Sequence, residues 1–247
     1  MRRPFPLAAA ALLAGCAASE TTSLDRFAKD GRLIALSGAE AGASNACFTC
    51  HGLDGRGNGA GAPRLAGLDA GYLERQLEAY ADGRRIHAQM GWIAGALDAE
   101  ERKAVSFYYA GLPFEPRAAP PAKRLRLYHE GDPARGLLAC AACHGEQGQG
   151  LGAANPPLAG QPAFYLADQL EQWRKAKRRN DPGDVMLRIS QLLTPLERRA
   201  LAAYSAALRA PPSPESPAAS PAAHRGDPRS GASGPPLHVP ERARAAE

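Results

Sequence analysis

Two short stretches of this sequence each place two cysteines and a histidine within five positions. ACFTCHG spans residues 46–52, and ACAACHG spans residues 139–145. In both, a Cys-x-x-Cys pair is followed directly by His. Three kinds of chemistry use such a pair of cysteines: a dithiol–disulfide redox switch, half of a structural zinc site, and covalent attachment of haem. The surrounding sequence has to distinguish between them.

The region around these motifs is duplicated. A shift of 93 residues superimposes the first motif on the second, pairing Cys47, Cys50 and His51 with Cys140, Cys143 and His144. The same shift pairs Pro63 with Pro156, the LAG of residues 65–67 with that of 158–160, Tyr72 with Tyr165, and Gln76 with Gln169. After three inserted residues the offset becomes 96, and Met90 then falls on Met186. We conclude that a module of about 85 residues occurs twice.

Apolar residues at helical spacing predict an all-α fold, with three helices and glycine-rich loops in each module. One helix leads into each cysteine motif, and in the second module Asp132 and Pro133 resemble an N-cap and a first helical residue. Middle helices are expected over residues 70–81 and 162–175. The last helices are expected to begin at Asp98 and Thr194, each with a Glu three positions later, which is a capping-box pattern. Both methionines are expected on loops between the middle and last helices.

The N-terminus predicts export. Arg2 and Arg3 precede a short apolar run over residues 7–14, which is too short to span a bilayer. The run ends in LAGC, which resembles the lipobox of bacterial lipoproteins and implies cleavage before a lipidated Cys16. The alternative is an ordinary signal peptide with a chance cysteine at its end.

Composition divides the chain into six segments. These are a signal peptide (1–15), a tether (16–30), the first module (31–112), a Pro/Ala-rich linker (113–125), the second module (126–209) and a disordered tail rich in Pro, Ala, Ser and Arg (210–247). Without residues 1–15 the chain has 28 basic and 25 acidic residues, an excess too small to suggest a nucleic-acid partner. We therefore expect a soluble body on a lipid anchor, at the periplasmic face of a bacterial membrane.

The use of all three motif residues favours haem. A thioredoxin-like switch requires a βαβ context, which is absent, and gives no role to the histidine. A single zinc ion could take all four motif cysteines, but it would leave His51 and His144 idle. Haem attachment uses two cysteines for thioether bonds and the histidine as an iron ligand. The sequence therefore predicts two covalent haem c groups, one in each module.

The second iron ligand is predicted from the methionines. Once Met1 is removed with the signal peptide, Met90 and Met186 are the two that remain, and they occupy matching positions in the repeat. His87 is the rival ligand in the first module, but its repeat counterpart is Gly183. The other histidines are expected to be ordinary surface or loop residues; these are His129, His224 and His238.

Taken together, the duplicated motif, the PRLAG and PPLAGQ segments, the YLERQL and YLADQL helices and the late methionines resemble the cytochrome c4 family. That resemblance covers about residues 35–209 and implies two tandem class I cytochrome c domains. It also implies that the carbonyl groups of Pro63 and Pro156 accept hydrogen bonds from the haem-binding histidines. Four arginines are similar to those that hold haem propionates in the family; these are Arg84, Arg85, Arg178 and Arg179.

A histidine and a methionine on each iron suit electron transfer and leave no position for a substrate. We therefore expect a non-enzymatic, membrane-tethered carrier between a quinol-oxidising complex and a terminal oxidase or reductase. A second reading is the electron-accepting subunit of a periplasmic dehydrogenase. A third is a haem enzyme, such as a peroxidase or a thiosulfate-type dehydrogenase, in which Met90 is displaced.

Overall fold

The computed structural model describes residues 30–59, 61–114 and 123–209. The predicted signal peptide, Cys16, nearly all of the tether, the middle of the linker and the tail lie outside these residues, as do His224 and His238. Both modules belong to one compact unit.

Helices build both modules, and the described residues contain no β-strand, which confirms the all-α prediction. The first module has α1 (Gly31–Ser37), α2 (Phe48–His51), α3 (Ala70–Ala81), α4 (Ala88–Ala96) and α5 (Ala99–Ala110). The second has α6 (Arg126–Glu130), α7 (Ala141–His144), α8 (Ala163–Arg174), α9 (Val185–Leu192) and α10 (Pro195–Ala207). Short 3₁₀ turns occupy Ala39–Ala41, Ala43–Asn45, Pro133–Arg135 and Pro182–Asp184. Each module thus has two helices more than the three predicted: a single turn at the motif and a helix that carries the methionine.

The longest helices form where local signals place them. Helix α3 spans the predicted residues, and Asp69 caps it by accepting a hydrogen bond from the Tyr72 N–H. Helices α5 and α10 each begin with a complete capping box, built from Asp98 with Glu101 and from Thr194 with Glu197. Such boxes satisfy N–H groups that would otherwise lack partners at the start of a helix.

One local prediction was right only in part, and another was wrong. Asp132 and Pro133 take the N-cap and first positions, but of a 3₁₀ turn and not of an α-helix, and the Asp132 carboxylate pairs with Arg135. Met90 and Met186 do not lie on loops but in the first turns of α4 and α9. Side-chain hydrogen bonds to both methionine N–H groups favour these helical turns.

Each module has a small apolar core of its own. In the first module α1 and α3 pack against α5, and in the second α8 packs against α9 and α10. The close approach of α1 to α5 requires glycine at position 31, because a Cβ there would collide with the carbonyl of Ala104. Both cores surround a common cavity.

The modules join along the segments that follow α3 and α8. Arg85 and Arg178 form an isolated antiparallel bridge. The Ile86 N–H donates to the Lys177 carbonyl at 2.8 Å, and the Arg179 N–H donates to the Arg84 carbonyl at 2.8 Å. Because 85 and 178 are equivalent positions of the repeat, the contact is reciprocal: each module offers the same surface to the other.

Candidate haem sites

Each Cys-x-x-Cys-His motif forms a single helical turn. In α2 the His51 N–H donates to the Cys47 carbonyl at 2.9 Å, and in α7 the His144 N–H makes the equivalent bond to Cys140. Residues three and four apart share one face of a helix, so the turn brings both thiols and the imidazole to the same side. Gly52 and Gly145 end the two turns with φ angles of 78° and 83°, which favour glycine.

Backbone carbonyl groups orient both imidazoles. The Nδ1–H of His51 donates to the Pro63 carbonyl at 2.9 Å, and that of His144 donates to Pro156 at 2.9 Å. A carbonyl can only accept, so the proton lies on Nδ1 and the Nε2 lone pair is left for a metal. Burial lowers the pKa of both histidines, which favours the neutral form that a metal requires.

The cysteines lack the properties of a redox switch. No disulfide joins these four residues, and burial raises the pKa of Cys47 and of Cys140 to about 11. A reactive dithiol or a zinc site needs the thiolate, which a lowered pKa supplies. In the described part of the chain, moreover, no cluster of three or more His, Cys, Asp or Glu side chains is arranged to hold a metal ion.

A continuous cavity of about 1090 Å³ extends through both modules. Its walls are largely apolar and include Leu73, Ile93, Leu166 and Ile189. Both motifs and both methionines line it; these residues are Cys47, Cys50, His51, Met90, Cys140, Cys143, His144 and Met186. The predicted ligands of each module therefore open on one largely apolar cavity, which suits a large flat cofactor.

Side-chain caps hold the helices that carry the methionines. The Met90 N–H donates to Nδ1 of His87 at 3.2 Å, so the predicted rival ligand caps the helix of Met90. The Met186 N–H donates to Oδ2 of Asp181 at 2.6 Å, and Oδ1 of Asp181 accepts from the Trp173 indole N–H at 2.9 Å. No local sequence pattern marks Asp181 as a partner of Met186, because it lies five residues before that methionine.

The four predicted propionate arginines fall into two classes. Arg84 and Arg179 are exposed and form ion pairs with Asp82 at 2.6 Å and with Asp184 at 3.8 Å. Arg85 and Arg178 are only 4% and 3% exposed. No carboxylate of the described residues pairs with either of these buried guanidinium groups.

A reciprocal hydrogen-bond network surrounds the buried arginines. Arg85 donates to Oε1 of Gln76 in its own module and of Gln169 in the other, at 3.0 and 2.6 Å. Arg178 donates to the same two atoms at 2.9 and 2.7 Å. Tyr165 and Tyr72 complete the network as acceptors from Arg85 and Arg178, at 2.9 and 3.2 Å. The matching of these Tyr and Gln positions between the repeats was the sequence signal for this network.

Further cavity-lining polar atoms lack partners within the described protein. The Nε of Arg64 and the hydroxyl of Tyr109 are buried without a hydrogen bond, and burial lowers the pKa of Arg64 to about 10. Buried cations without a counter-charge are costly. Each haem carries two propionates, so two haems would supply carboxylate partners for the buried arginines of this cavity. The residues present therefore fit two haem groups.

His129 takes no part in the cavity. It lies on α6, where its two ring nitrogens contact Glu146 and Tyr204, both at 2.6 Å. In addition, none of the helices over residues 30–59, 61–114 and 123–209 is long and apolar enough to cross a membrane.

Comparison with known proteins identifies the family. The sequence model of the cytochrome c family matches residues 35–112 and again 135–206. The chain is 42% identical to a thiosulfate dehydrogenase electron acceptor of Stutzerimonas stutzeri, over 78% of this chain and 93% of that protein. It is 37% identical to a cytochrome c4 of Thiocapsa roseopersicina, over 67% of this chain and 88% of that protein.

Solved structures show the same similarity. Reduced recombinant cytochrome c4 from Pseudomonas stutzeri superimposes with a TM-score of 0.61 at 29% identity, covering 66% of this chain and 93% of the other. Thiosulfate dehydrogenase (TsdBA) from Marichromatium purpuratum gives a TM-score of 0.64 at 41% identity, over 74% of this chain; the match spans only 40% of that longer chain. The chain is therefore a member of the cytochrome c family, an electron-transfer protein of the cytochrome c4 type with two covalently bound haem c groups.

Proposed function

We propose that this two-haem cytochrome accepts electrons from a dehydrogenase that oxidises thiosulfate and passes them to a terminal oxidase or reductase. The observation that carries the proposal is similarity to a protein named as the electron acceptor of thiosulfate dehydrogenase. The two sequences are 42% identical over 93% of that protein's length. Oxidative coupling of two thiosulfate ions releases two electrons, and two haems can hold two.

For the haem sites, we propose one full set of ligands in each module. Cys47 and Cys50 bind haem 1, with His51 and Met90 on its iron. Cys140 and Cys143 bind haem 2, with His144 and Met186 on its iron. In support, each set opens on the shared cavity, and each histidine presents Nε2 because its Nδ1–H is bonded to Pro63 or Pro156. Haem supplies reversible one-electron chemistry, while the chain orients the ligands and excludes water.

With both iron faces closed by protein ligands, the protein acts as a carrier and not as an enzyme. In support, His87 uses Nδ1 to cap α4, and the paired caps hold both methionines in helical first turns. A ferric His–Met haem shows a thioether-to-iron charge-transfer absorption, which should report two sites per chain. A protein in which this absorption reports only one site, and which binds carbon monoxide readily when reduced, would contradict the proposal.

The electron donor can be tested by reduction kinetics. The purified chain should not be reduced by thiosulfate alone, but it should be reduced rapidly when a catalytic amount of thiosulfate dehydrogenase is added. A quinol-oxidising complex with its quinol is the matched comparison, because it represents the other candidate donor. Faster reduction by that complex, with none by the dehydrogenase, would favour a general respiratory carrier over the proposed role.

A lipid anchor at Cys16 in the periplasm completes the proposal, and it is supported by the LAGC sequence of residues 13–16. Cys16→Ser should be released from membranes as a soluble protein with both haems, because it lacks the acyl chains that hold a lipoprotein. Retention of this variant on the membrane, with the mass of the parent, would disprove lipidation at Cys16.

A further inference from the structure

The two helices that carry the methionines are capped by chemically different groups. His87 caps α4 through an imidazole nitrogen, whereas Asp181 caps α9 through a carboxylate that also holds the Trp173 indole. The two residues do not align in the repeat, since His87 matches Gly183 at the offset of 96 that superimposes the methionines. In both modules a side chain thus accepts a hydrogen bond from the methionine N–H, but the side chain comes from a different position of the repeat.

We propose that His87 and Asp181 are positioning residues for Met90 and Met186, and that their difference in charge makes haem 2 the lower-potential haem. The inference rests on the proposed ligation of both irons by methionine. The Nδ1 atom of His87 accepts a hydrogen bond and so carries no proton, which leaves the capping imidazole neutral. The carboxylate of Asp181 is negative, and a nearby negative charge stabilises ferric iron relative to ferrous iron.

Charges along the cavity wall act in the same direction. Among the charged residues that line the cavity, the first module contributes four arginines and no carboxylate. The second module contributes two arginines together with Asp168 and Asp181. At one pair of equivalent positions the sign is reversed, since Arg75 matches Asp168 at the offset of 93. Arginines of the first module cross the interface, because Arg64, Arg75 and Arg85 all donate to the second module. The two carboxylates belong to the second module alone, and their negative charge favours ferric iron there, which lowers the potential of haem 2.

The consequence is a direction of electron flow inside the molecule. One electron passes from ferrous haem 2 to ferric haem 1, which leaves haem 2 ferric and haem 1 ferrous without a proton or another reactant. The electron donor is the reduced dehydrogenase of the proposed function. Electrons that the donor delivers to haem 2 therefore pass to haem 1 and rest there.

Charge removal at Asp181 tests the inference, with Asp184 as the matched control. Asp184 lies three residues further along, pairs with Arg179 and makes no bond to Met186 or Trp173. Redox titration of the full haem-loaded chain should give two potentials. Asp181→Asn should raise the lower one by the equivalent of a threefold to tenfold change in the ferric-to-ferrous ratio, where tenfold is about 59 mV for one electron. Asp184→Asn should shift it much less, because Asp184 does not line the cavity and its charge is paired with Arg179.

Substitutions at His87 provide a second test of the effect of charge on the potentials. His87→Asp should lower the higher potential, because it places a carboxylate at the cap of α4 as in the second module. His87→Asn should leave both potentials near those of the parent, because Asn is neutral and is also a favourable N-cap.

The thioether-to-iron absorption separates failure of this inference from failure of the proposed ligation. If the parent lacks the absorption, methionine ligation is wrong. If the parent and Asp181→Asn both show it at full intensity, unchanged potentials, or a shift confined to the higher potential, would refute the inference. If Asp181→Asn loses half of the thioether-to-iron absorption, Asp181 positions Met186 as proposed. The potentials of His87→Asp then decide whether the charge of the capping residue changes the potential of the haem.

Discussion

Substitution of the buried Arg85 tests whether a haem propionate neutralises the positive charge of this guanidinium group. It donates to Gln76, Tyr165 and Gln169, and it lies 4.4 Å from the centroid of the Tyr80 ring. Hydrogen bonds from a charged donor contribute about 1.5–3 kcal/mol each, and a cation–π contact contributes about 0.5–2 kcal/mol. Against these stands the desolvation of a cation, which costs several kcal/mol in a protein interior.

Whether the charge of Arg85 stabilises or destabilises the protein depends on whether a negatively charged group lies beside it. If a haem propionate balances Arg85, then Arg85→Met removes one side of a buried charge pair and should destabilise the haem-loaded protein by about 3–5 kcal/mol. The glutamine acceptors do not dominate this loss, because Oε1 of Gln76 and of Gln169 also accept from Arg178. Without a propionate, the variant would lose a poorly compensated charge and would be as stable as the parent, or more stable.

The assay is guanidinium chloride unfolding of the haem-loaded chain, followed by haem absorbance. Arg84→Met is the matched control, because Arg84 is the adjacent residue but is exposed and pairs with Asp82 at the surface. Exposed pairs contribute only about 0–1 kcal/mol, so the control should unfold near the midpoint of the parent. Equal midpoints for Arg85→Met and the parent would refute the assignment of Arg85 to a propionate.

Two further predictions concern the second module. Met186→Ala should open one iron, giving carbon monoxide binding in the reduced state and a lowered potential at that haem; a variant that still excludes carbon monoxide would show that Met186 is not the ligand. Acid should weaken the second module, because a hydrogen bond from Arg174 lowers the pKa of Glu171 to about 2 and one from Arg135 lowers that of Glu197 to about 2. Carboxyl groups with lowered pKa values stabilise the fold fully above their unfolded value near 4.5, and this contribution is lost as the pH falls toward 2. The free energy of unfolding, measured from pH 6 to pH 2, should therefore fall over the lower part of this range; a flat profile would show that these ion pairs contribute nothing.

The amino-acid sequence determined the features that depend on neighbouring positions. The attachment motifs are contiguous, and the repeat is visible because equivalent residues keep a constant offset. The middle helix over Ala70–Ala81 and the capping boxes at Asp98 and Thr194 follow from spacings of three and four residues, which a helix requires wherever it lies. The all-α fold, the cytochrome c4 family and the two haems were therefore predicted correctly.

Tertiary structure decided the features that depend on how the modules meet. The sequence treated Arg84 and Arg85 alike, yet only Arg85 enters the reciprocal network with Gln169 and Tyr165, because only its side chain faces the other module. Asp181 and His87 occupy different positions in the repeat: His87 is a local N-cap three residues before Met90, whereas the loop fold brings Asp181 to the N–H of Met186 from five residues away. Alignment of the repeat could not reveal such pairs, because side chains from different positions can satisfy the same backbone group. The attachment chemistry is thus encoded locally, whereas the electrostatic surroundings of each haem are set by packing across the module interface.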